Sequence, residues 1–396
     1  MTNCTSKIMK FQGVKGRKVQ AFFSGQTITS DAGALLLKDA DLASKLTHRL
    51  SRCFTDTRRK ASCNHSITTM LRQRVYGLAL GYEDLNDHNL LRHDPALQTV
   101  IGQDESMASA STLCRFENNV DAKTLWKMSA VLIDLFIESH KSPPPEIVLD
   151  FDATNDAVHG NQEGRFFHGY YDHYCFLPLY VFCGSHLLAA YLRPSNIDAA
   201  KHAHGIAGLL VKRLRQAWPH TRIILRADSG FCRWKMLRWC DKQKVDYIIG
   251  IGQNSRLLKA NHNILDEVKQ LFLQIGTKQK RFTEVIYAAK SWDKARRIIT
   301  KAEHLDQGSN PRFVVTSLDT EPEELYQRYC ARGEMEMPRV VMSMDSAEWC
   351  WTIDKRKALY LTGLKSFIGP YRTYIWWAER DSNPRPLAPE ANALSI

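Results

Sequence analysis

The chain has 396 residues, 44% of them hydrophobic and 24% charged, an ordinary globular balance that excludes wholesale disorder. At roughly 150 residues per domain this length suits two or three domains. The 54 Lys and Arg residues exceed the 42 Asp and Glu residues to give a formal net charge of +12. This points to a polyanionic partner rather than a membrane surface, because no long basic amphipathic helix stands out.

The opening Met1-Thr-Asn-Cys-Thr5 lacks the basic stretch and apolar run of a secretory leader. The best apolar stretch, Cys175 to Leu192, is interrupted by Pro178, Gly184, Ser185 and His186, short of the roughly 18 unbroken apolar residues of a membrane span. The ten cysteines form no Cys-x-x-Cys pair, so a reducing cytoplasm is expected and a disulfide scaffold is not. Cys63-x-His65 lacks a second ligand pair and does not read as a zinc site.

From Ser30 to about His140 the pattern is helical. Asp31-Ala-Gly-Ala-Leu-Leu-Leu-Lys opens a helix with Asp31 or Ser30 as its N-cap. Ser66 to Leu80 repeats apolar residues at helical spacing, as does Ala122 to Ile137. Between Arg49 and Arg74 stand seven cations (Arg49, Arg52, Arg58, Arg59, Lys60, Arg72, Arg74) and one acid, Asp56. Such a cluster is either a solvated helix face or a set of phosphate contacts.

Pro143-Pro-Pro145 marks a linker. Beyond it come Glu146 to Asp152 as a strand, two strand candidates in Tyr174 to Leu192, a helix at Ala199 to Trp218 and a strand at Arg222 to Asp228. A helix at Phe231 to Lys244 and a strand at Tyr247 to Ile251 complete an α/β order. Three β-like runs between about 281 and 318 read as an insertion, and Glu321 to Met337 returns to helix.

Two strand ends carry acids, Asp152 and Asp228, that are costly to bury unless paired or metal-bound. Strand alternation puts Asp150 beside Asp152 on one face, so Asp150 is a rival. Tyr329, Arg332 and Glu336 fall on one face of the last helix. Three carboxylates from two strands and a helix suit a pair of Mg²⁺ ions acting on a phosphodiester, although any one acid alone reads more readily as a strand-end cap. Trp292, flanked by Lys290, Lys294, Arg296 and Arg297, is either a base-stacking residue or a sheet aromatic. His159 and His168 are assigned no role.

These residues resemble the DDE transposases of bacterial insertion sequences, in the branch marked by Tyr-x2-Arg-x3-Glu-x6-Lys. The matches are Asp152-Ala-Thr154, Ala227-Asp-Ser-Gly-Phe231 and Tyr329-x2-Arg332-x3-Glu336. His159 to Gln162, Tyr170 to Tyr180, Leu188 to Arg193, Gly81 to His88 and Ser111 to Glu117 also look like this branch. The resemblance covers roughly 11 to 337. It implies an RNase H-like catalytic core with a β insertion over 146–337, preceded by a helical, basic DNA-end-binding region over 1–145. It further implies Asp152, Asp228 and Glu336 as catalytic ligands of Mg²⁺, with Mn²⁺ as a substitute. Tyr329 and Arg332 would hold the DNA backbone, and Trp292, Arg58, Arg59, Lys60, Arg72 and Arg74 would add DNA contacts. The expected partners are the element's inverted-repeat ends, target DNA and further copies of the chain, in a bacterial nucleoid.

The pattern then fails. The motif lysine would fall at position 343, which is Ser343, and Pro338 interrupts the helix directly after Met337. Residues 338–396 therefore read as a replacement tail, out of frame with the family, with a genuine divergent C-terminus as the alternative. The expected function is metal-dependent strand cleavage and transfer. The rivals are an inactive remnant that binds element ends and a stand-alone nuclease.

Overall fold

The structure is a computed structural model that describes residues 9–14, 17–21, 29–158 and 162–332. β1 (Met9–Val14) and β2 (Arg17–Ala21) pair as an antiparallel hairpin that the sequence reading did not anticipate. Helices α1 (Ala34–Ser44), α2 (Leu46–Ser51), α3 (Ile67–Ala79), α4 (His88–Leu91), α5 (Pro95–Ile101), α6 (Ala110–Asn118) and α7 (Ala122–Glu138) follow. Ser66 caps α3 by accepting from Thr69 N at 3.0 Å, and Asp121 caps α7 by accepting from Thr124 N at 2.7 Å. The expected cap on α1 is absent. Gly33 occupies the N-cap without a side-chain bond, and the Asp31 carboxylate instead accepts the Tyr82 hydroxyl at 2.9 Å.

These helices close on Met70, Leu71, Val75, Tyr76, Leu97, Val100, Leu113 and Phe116. Helix α7 belongs to two cores: its Met128 packs here, whereas Ile133 and Phe136 enter the core beneath the sheet that follows.

That sheet is built from β3 (Glu146–Ala153), β7 (Leu179–Cys183), β8 (His186–Tyr191), β9 (Arg222–Ala227), β10 (Asp246–Ile251), β11 (Gln279–Tyr287), β12 (Arg296–Leu305), β13 (Gly308–Ser309) and β14 (Arg312–Thr316). Among the described residues its order is β11-β12-β14-β10-β9-β3-β7-β8, with β13 on β12. Strands β3, β9 and β10 run parallel and the remaining pairings are antiparallel. A small sheet of β4 (Asp156–Ala157), β5 (Phe166–His168) and β6 (His173–Phe176) projects from the end of the β3–β7 pair. The expected two strands between 174 and 192 are thus three, with a bend at Pro178 between β6 and β7.

Helices α8 (Ala203–Ala217) and α9 (Trp234–Gln243) cross between the parallel strands and cover one face. Alternation sends Leu149, Phe151, Leu225, Ala227 and Ile249 into that face, against Leu210, Leu214 and Leu237. The opposite face presents Ile224, Ile248, Ile299 and Val314 to Leu325, Tyr326 and Tyr329 of α12 (Pro322–Cys330). The three β-like runs expected near 281–318 are β11, β12 and β14. They lengthen the main sheet through the β10–β14 pairing and do not form a separate one. Helices α10 (Ser255–Ala260) and α11 (His262–Ile275) were missed, although Ile264, Leu265, Val268, Leu271 and Phe272 have helical spacing.

Candidate active site

Asp152 and Asp228 meet because of strand register. β3 and β9 are parallel with Phe151 opposite Ala227, so the two acids follow side by side at the C-terminal ends of neighbouring strands. Both are half-buried. Asp228 accepts from Gly230 N at 2.8 Å, which fixes its carboxylate at the head of a short turn. Burial pushes the Asp228 carboxyl above the usual range, opposed by the Gly230 N–H and the Arg332 guanidinium and assisted by the negative charge of Asp152.

Helix α12 brings two more groups to this edge. Arg332 Nη1 lies 3.6 Å from Asp152 Oδ1. The Tyr329 hydroxyl sits directly over Gly250 of β10: a Cβ added there would meet it at 2.5 Å and Ser229 N at 3.1 Å. Glycine at 250 is therefore what lets the Tyr329 hydroxyl reach the strand ends. Burial raises the Tyr329 pKa, and the Asp228 charge adds to that. Arg332 stands in the turn after the helix rather than on the helix face expected for it, because α12 ends at Cys330. Glu336, the third expected acid, lies outside the described residues, as do Ser343 and the tail over 338–396.

Asp150 is committed elsewhere. Arg226 clasps it through two hydrogen bonds, Nε to Oδ1 at 2.5 Å and Nη2 to Oδ2 at 2.9 Å, in a buried pair. The remaining Arg226 amine donates to Arg328 O at 2.6 Å, and Arg328 Nη2 donates to Glu146 Oε1 at 2.5 Å. One arginine thus joins β3, β9 and the carbonyl end of α12, and so sets where Tyr329 and Arg332 stand relative to Asp152. Sequence reasoning missed Arg226, though a cation inside the apolar run Arg222 to Ala227 was a visible signal. It also missed Tyr171, whose pKa is raised first by burial and then by the charges of Tyr170, Asp152 and Asp228.

The carboxylate pair fits a hard divalent cation. The register sets two carboxylates at the ends of neighbouring strands, and a cation between them would offset both the burial and the like charge that raise the Asp228 pKa. Among the described residues no group of three His, Cys, Asp or Glu side chains converges.

The other expected contacts separate by burial. Arg74 is 3% exposed and donates to Glu117 Oε1 at 2.6 Å and toward His88 Nε2 at 2.8 Å. It holds the segments 81–88 and 111–117 together, and its expected DNA contact is corrected on that ground. Arg72 reaches inward to Asp41 at 3.3 Å and donates to Ile101 O at 3.2 Å. Arg58 pairs with Asp56 at 2.8 Å, whereas Arg59 and Lys60 are exposed. Arg58 and Arg59 line a cavity of about 870 Å³ together with Arg92 and Arg115. Trp292 is half-buried against the sheet core, edge-on to Tyr287 at 5.7 Å and 5.4 Å beneath the Arg296 guanidinium. Arg296 is itself paired with Asp241 at 2.7 Å and Asp293 at 2.9 Å.

Two acids at the ends of adjacent parallel strands, overlooked by an arginine and a tyrosine, are suited to divalent-cation chemistry on a phosphodiester. The chain matches the model of the transposase DDE domain, group 1, over residues 11–338, and it belongs to that family. Domains of this family use divalent metal ions in DNA transposition. Among solved structures the chain is similar to piggyBac transposase, determined by cryo-EM in a synaptic complex with hairpin DNA. The identity is 12%, over 83% of this chain and 72% of that one, with a TM-score of 0.38. No curated protein matches the chain significantly. Among the described residues no helix is long and apolar enough to cross a membrane.

Proposed function

We propose that this chain is a DDE-type transposase of a bacterial insertion sequence that cleaves and joins DNA strands at the ends of its own element. The observation that carries this is the side-by-side placement of Asp152 and Asp228, with Arg332 3.6 Å from the first. Read from β3 onward, β3, β7, β8, β9 and β10 form the five-stranded order 3-2-1-4-5 with the last two parallel to the first, which supports an RNase H-like core. Asp152 and Asp228, with Glu336 from beyond the described residues, would hold Mg²⁺, or Mn²⁺ in its place. The bound ions supply activation of the attacking oxygen and charge neutralisation at the leaving oxygen. Arg332 and Tyr329 orient the phosphate backbone beside the carboxylate pair, a guanidinium being matched to phosphate oxygens. Arg58, Arg59 and Lys60 give the helical region over 1–145 its contact with element ends, in an assembly containing further copies of the chain.

A second reading, an end-binding remnant without catalysis, is favoured by Pro338 and Ser343 in the sequence. One experiment separates the two: incubation of supercoiled plasmid carrying the DNA that flanks the gene, in Mg²⁺ or Mn²⁺. The wild-type chain is expected to nick it, and Asp228→Asn is expected to bind it without nicking. Equal nicking by Asp228→Asn removes the assignment. Binding without nicking by both proteins establishes the remnant.

A further inference from the structure

Among the described residues six aromatic side chains are exposed, and four of them, Phe166, Phe167, Tyr170 and Tyr174, fall in strands β5 and β6 of the small sheet or in the turn that joins them. Tyr170 is 86% exposed, Phe167 53% and Tyr174 47%. Exposed aliphatic residues occur elsewhere on the chain, but four exposed rings gathered in one small element mark a binding surface.

The surface is held rigid. β4–β6 keeps the register of the β3–β7 ladder, with Asp156 opposite Phe176 as Asp152 is opposite Tyr180. Buried Arg193 donates to Leu177 O at 2.9 Å at the bend and to Ala199 O and Lys201 O beyond it. Ser195 Oγ donates to Phe166 O at 2.9 Å, and Phe176 bridges to Pro194. Asn155 Nδ2 meets His173 Nε2 at 2.9 Å. On this frame Phe167 and Tyr174 are direct cross-strand partners with ring centroids 5.6 Å apart, and the Arg165 guanidinium lies 4.4 Å over the Tyr174 ring.

The position of the surface identifies its occupant. The small sheet continues the β3–β7 ladder in register, with Asp156 four residues beyond Asp152, and Tyr171 packs edge-on to Tyr170 at 5.0 Å. A strand that crosses the carboxylate pair and runs on past the end of β3 brings its neighbouring nucleotides to these rings. Aromatic faces joined to a guanidinium suit unpaired bases with their phosphates, whereas bases in a duplex have their faces already stacked.

We propose that the small sheet is a stacking platform for unpaired DNA bases next to the cleaved phosphodiester, with Phe167, Tyr170 and Tyr174 as the stacking rings and Arg165 as a phosphate contact. This rests on the transposase reading above. It assigns base stacking to a different element from Trp292, which is half-buried against the sheet core.

The test uses the full chain and two probes of identical duplex sequence, one blunt and one with a 3′ oligo(dT) tail, in fluorescence anisotropy without divalent metal. The wild type is expected to prefer the tailed probe. Phe167→Ala with Tyr174→Ala is expected to weaken tailed binding by about tenfold or more while leaving blunt binding and the melting temperature unchanged. Phe167→Leu with Tyr174→Leu keeps apolar bulk without a π face and is expected to lose the preference as well. Retention of the tail preference by either variant, or equal weakening of both probes, overturns the proposal. A wild type that binds both probes equally overturns this proposal alone, and one that binds neither overturns the transposase reading with it.

Discussion

The helical region and the carboxylate edge of the sheet each contain a buried arginine–carboxylate pair, and the two pairs serve different ends. In the helices, Arg74 joins Glu117 and His88 and ties helix α6 to α3 and α4, far from Asp152 and Asp228 in the chain. At the sheet, Arg226 joins Asp150 and then reaches Arg328 O, the carbonyl end of the helix that carries Tyr329. The same chemistry locks a core in one place and aims a site in the other. The difference lies in the third partner of each arginine.

Breaking either pair from one side should be costly, because it leaves a charge buried without its counterpart. Glu117→Ala and Asp150→Ala are each expected to lose about 3–5 kcal/mol in denaturant melts. A loss near zero in either variant contradicts the buried geometry. The comparison sharpens when both partners are replaced by apolar residues. Asp150→Leu with Arg226→Met is expected to melt close to the wild type, yet to nick DNA about 10- to 100-fold more slowly because Arg328 O is no longer held. The equivalent change at Arg74 and Glu117 should leave the nicking rate unaltered in protein that remains folded.

Acid should distinguish the two regions again. Burial first, and then the Arg74 charge, lower the His88 pKa from 6.5 to about 3 in the fold. The Arg74 donor needs a lone pair on Nε2, so protonation would break that bond. With the folded value below the unfolded one, the contribution of His88 is complete above pH 6.5 and is lost as pH falls toward 3. The slope is up to about 1.4 kcal/mol per pH unit. Melts between pH 7 and pH 5 should show this fall, and His88→Gln should flatten it. A wild-type curve already flat over that window would refute the assignment. The smallest effect belongs to the exposed cations. Arg59→Gln with Lys60→Gln is expected to lower DNA affinity and reduce the log–log salt slope by about 2, with stability unchanged. An unaltered slope would place the contact elsewhere.

Much of this was legible in the residues. The alternation of Leu149, Asp150, Phe151 and Asp152 fixed which side chains share a face, and the positions of Asp152 and Asp228 at strand ends were visible directly. The motif resemblance preferred Asp152, but the contact that commits Asp150 elsewhere was not visible, because it depends on Arg226 arriving from a strand 76 positions away in sequence. The basic cluster misled for the same reason. Arg59 and Arg74 are equally charged in the sequence, but a helical period turns Arg74 inward beside Met70, Leu71 and Val75 while Arg59 precedes a turn at the surface. The hairpin of β1 and β2 and the joining of β14 to β10 depend on strand pairing, which carries no local signal.

The central claim is that Asp152 and Asp228 together hold a divalent cation. Loading the full chain with Fe²⁺ in place of Mg²⁺, and adding ascorbate and peroxide, cuts the backbone wherever iron sits. The prediction is two cuts, one close to Asp152 and one close to Asp228, both competed by Mg²⁺ and both lost in Asp152→Asn. Cuts elsewhere, or cuts at these positions that survive Asp152→Asn, would contradict it.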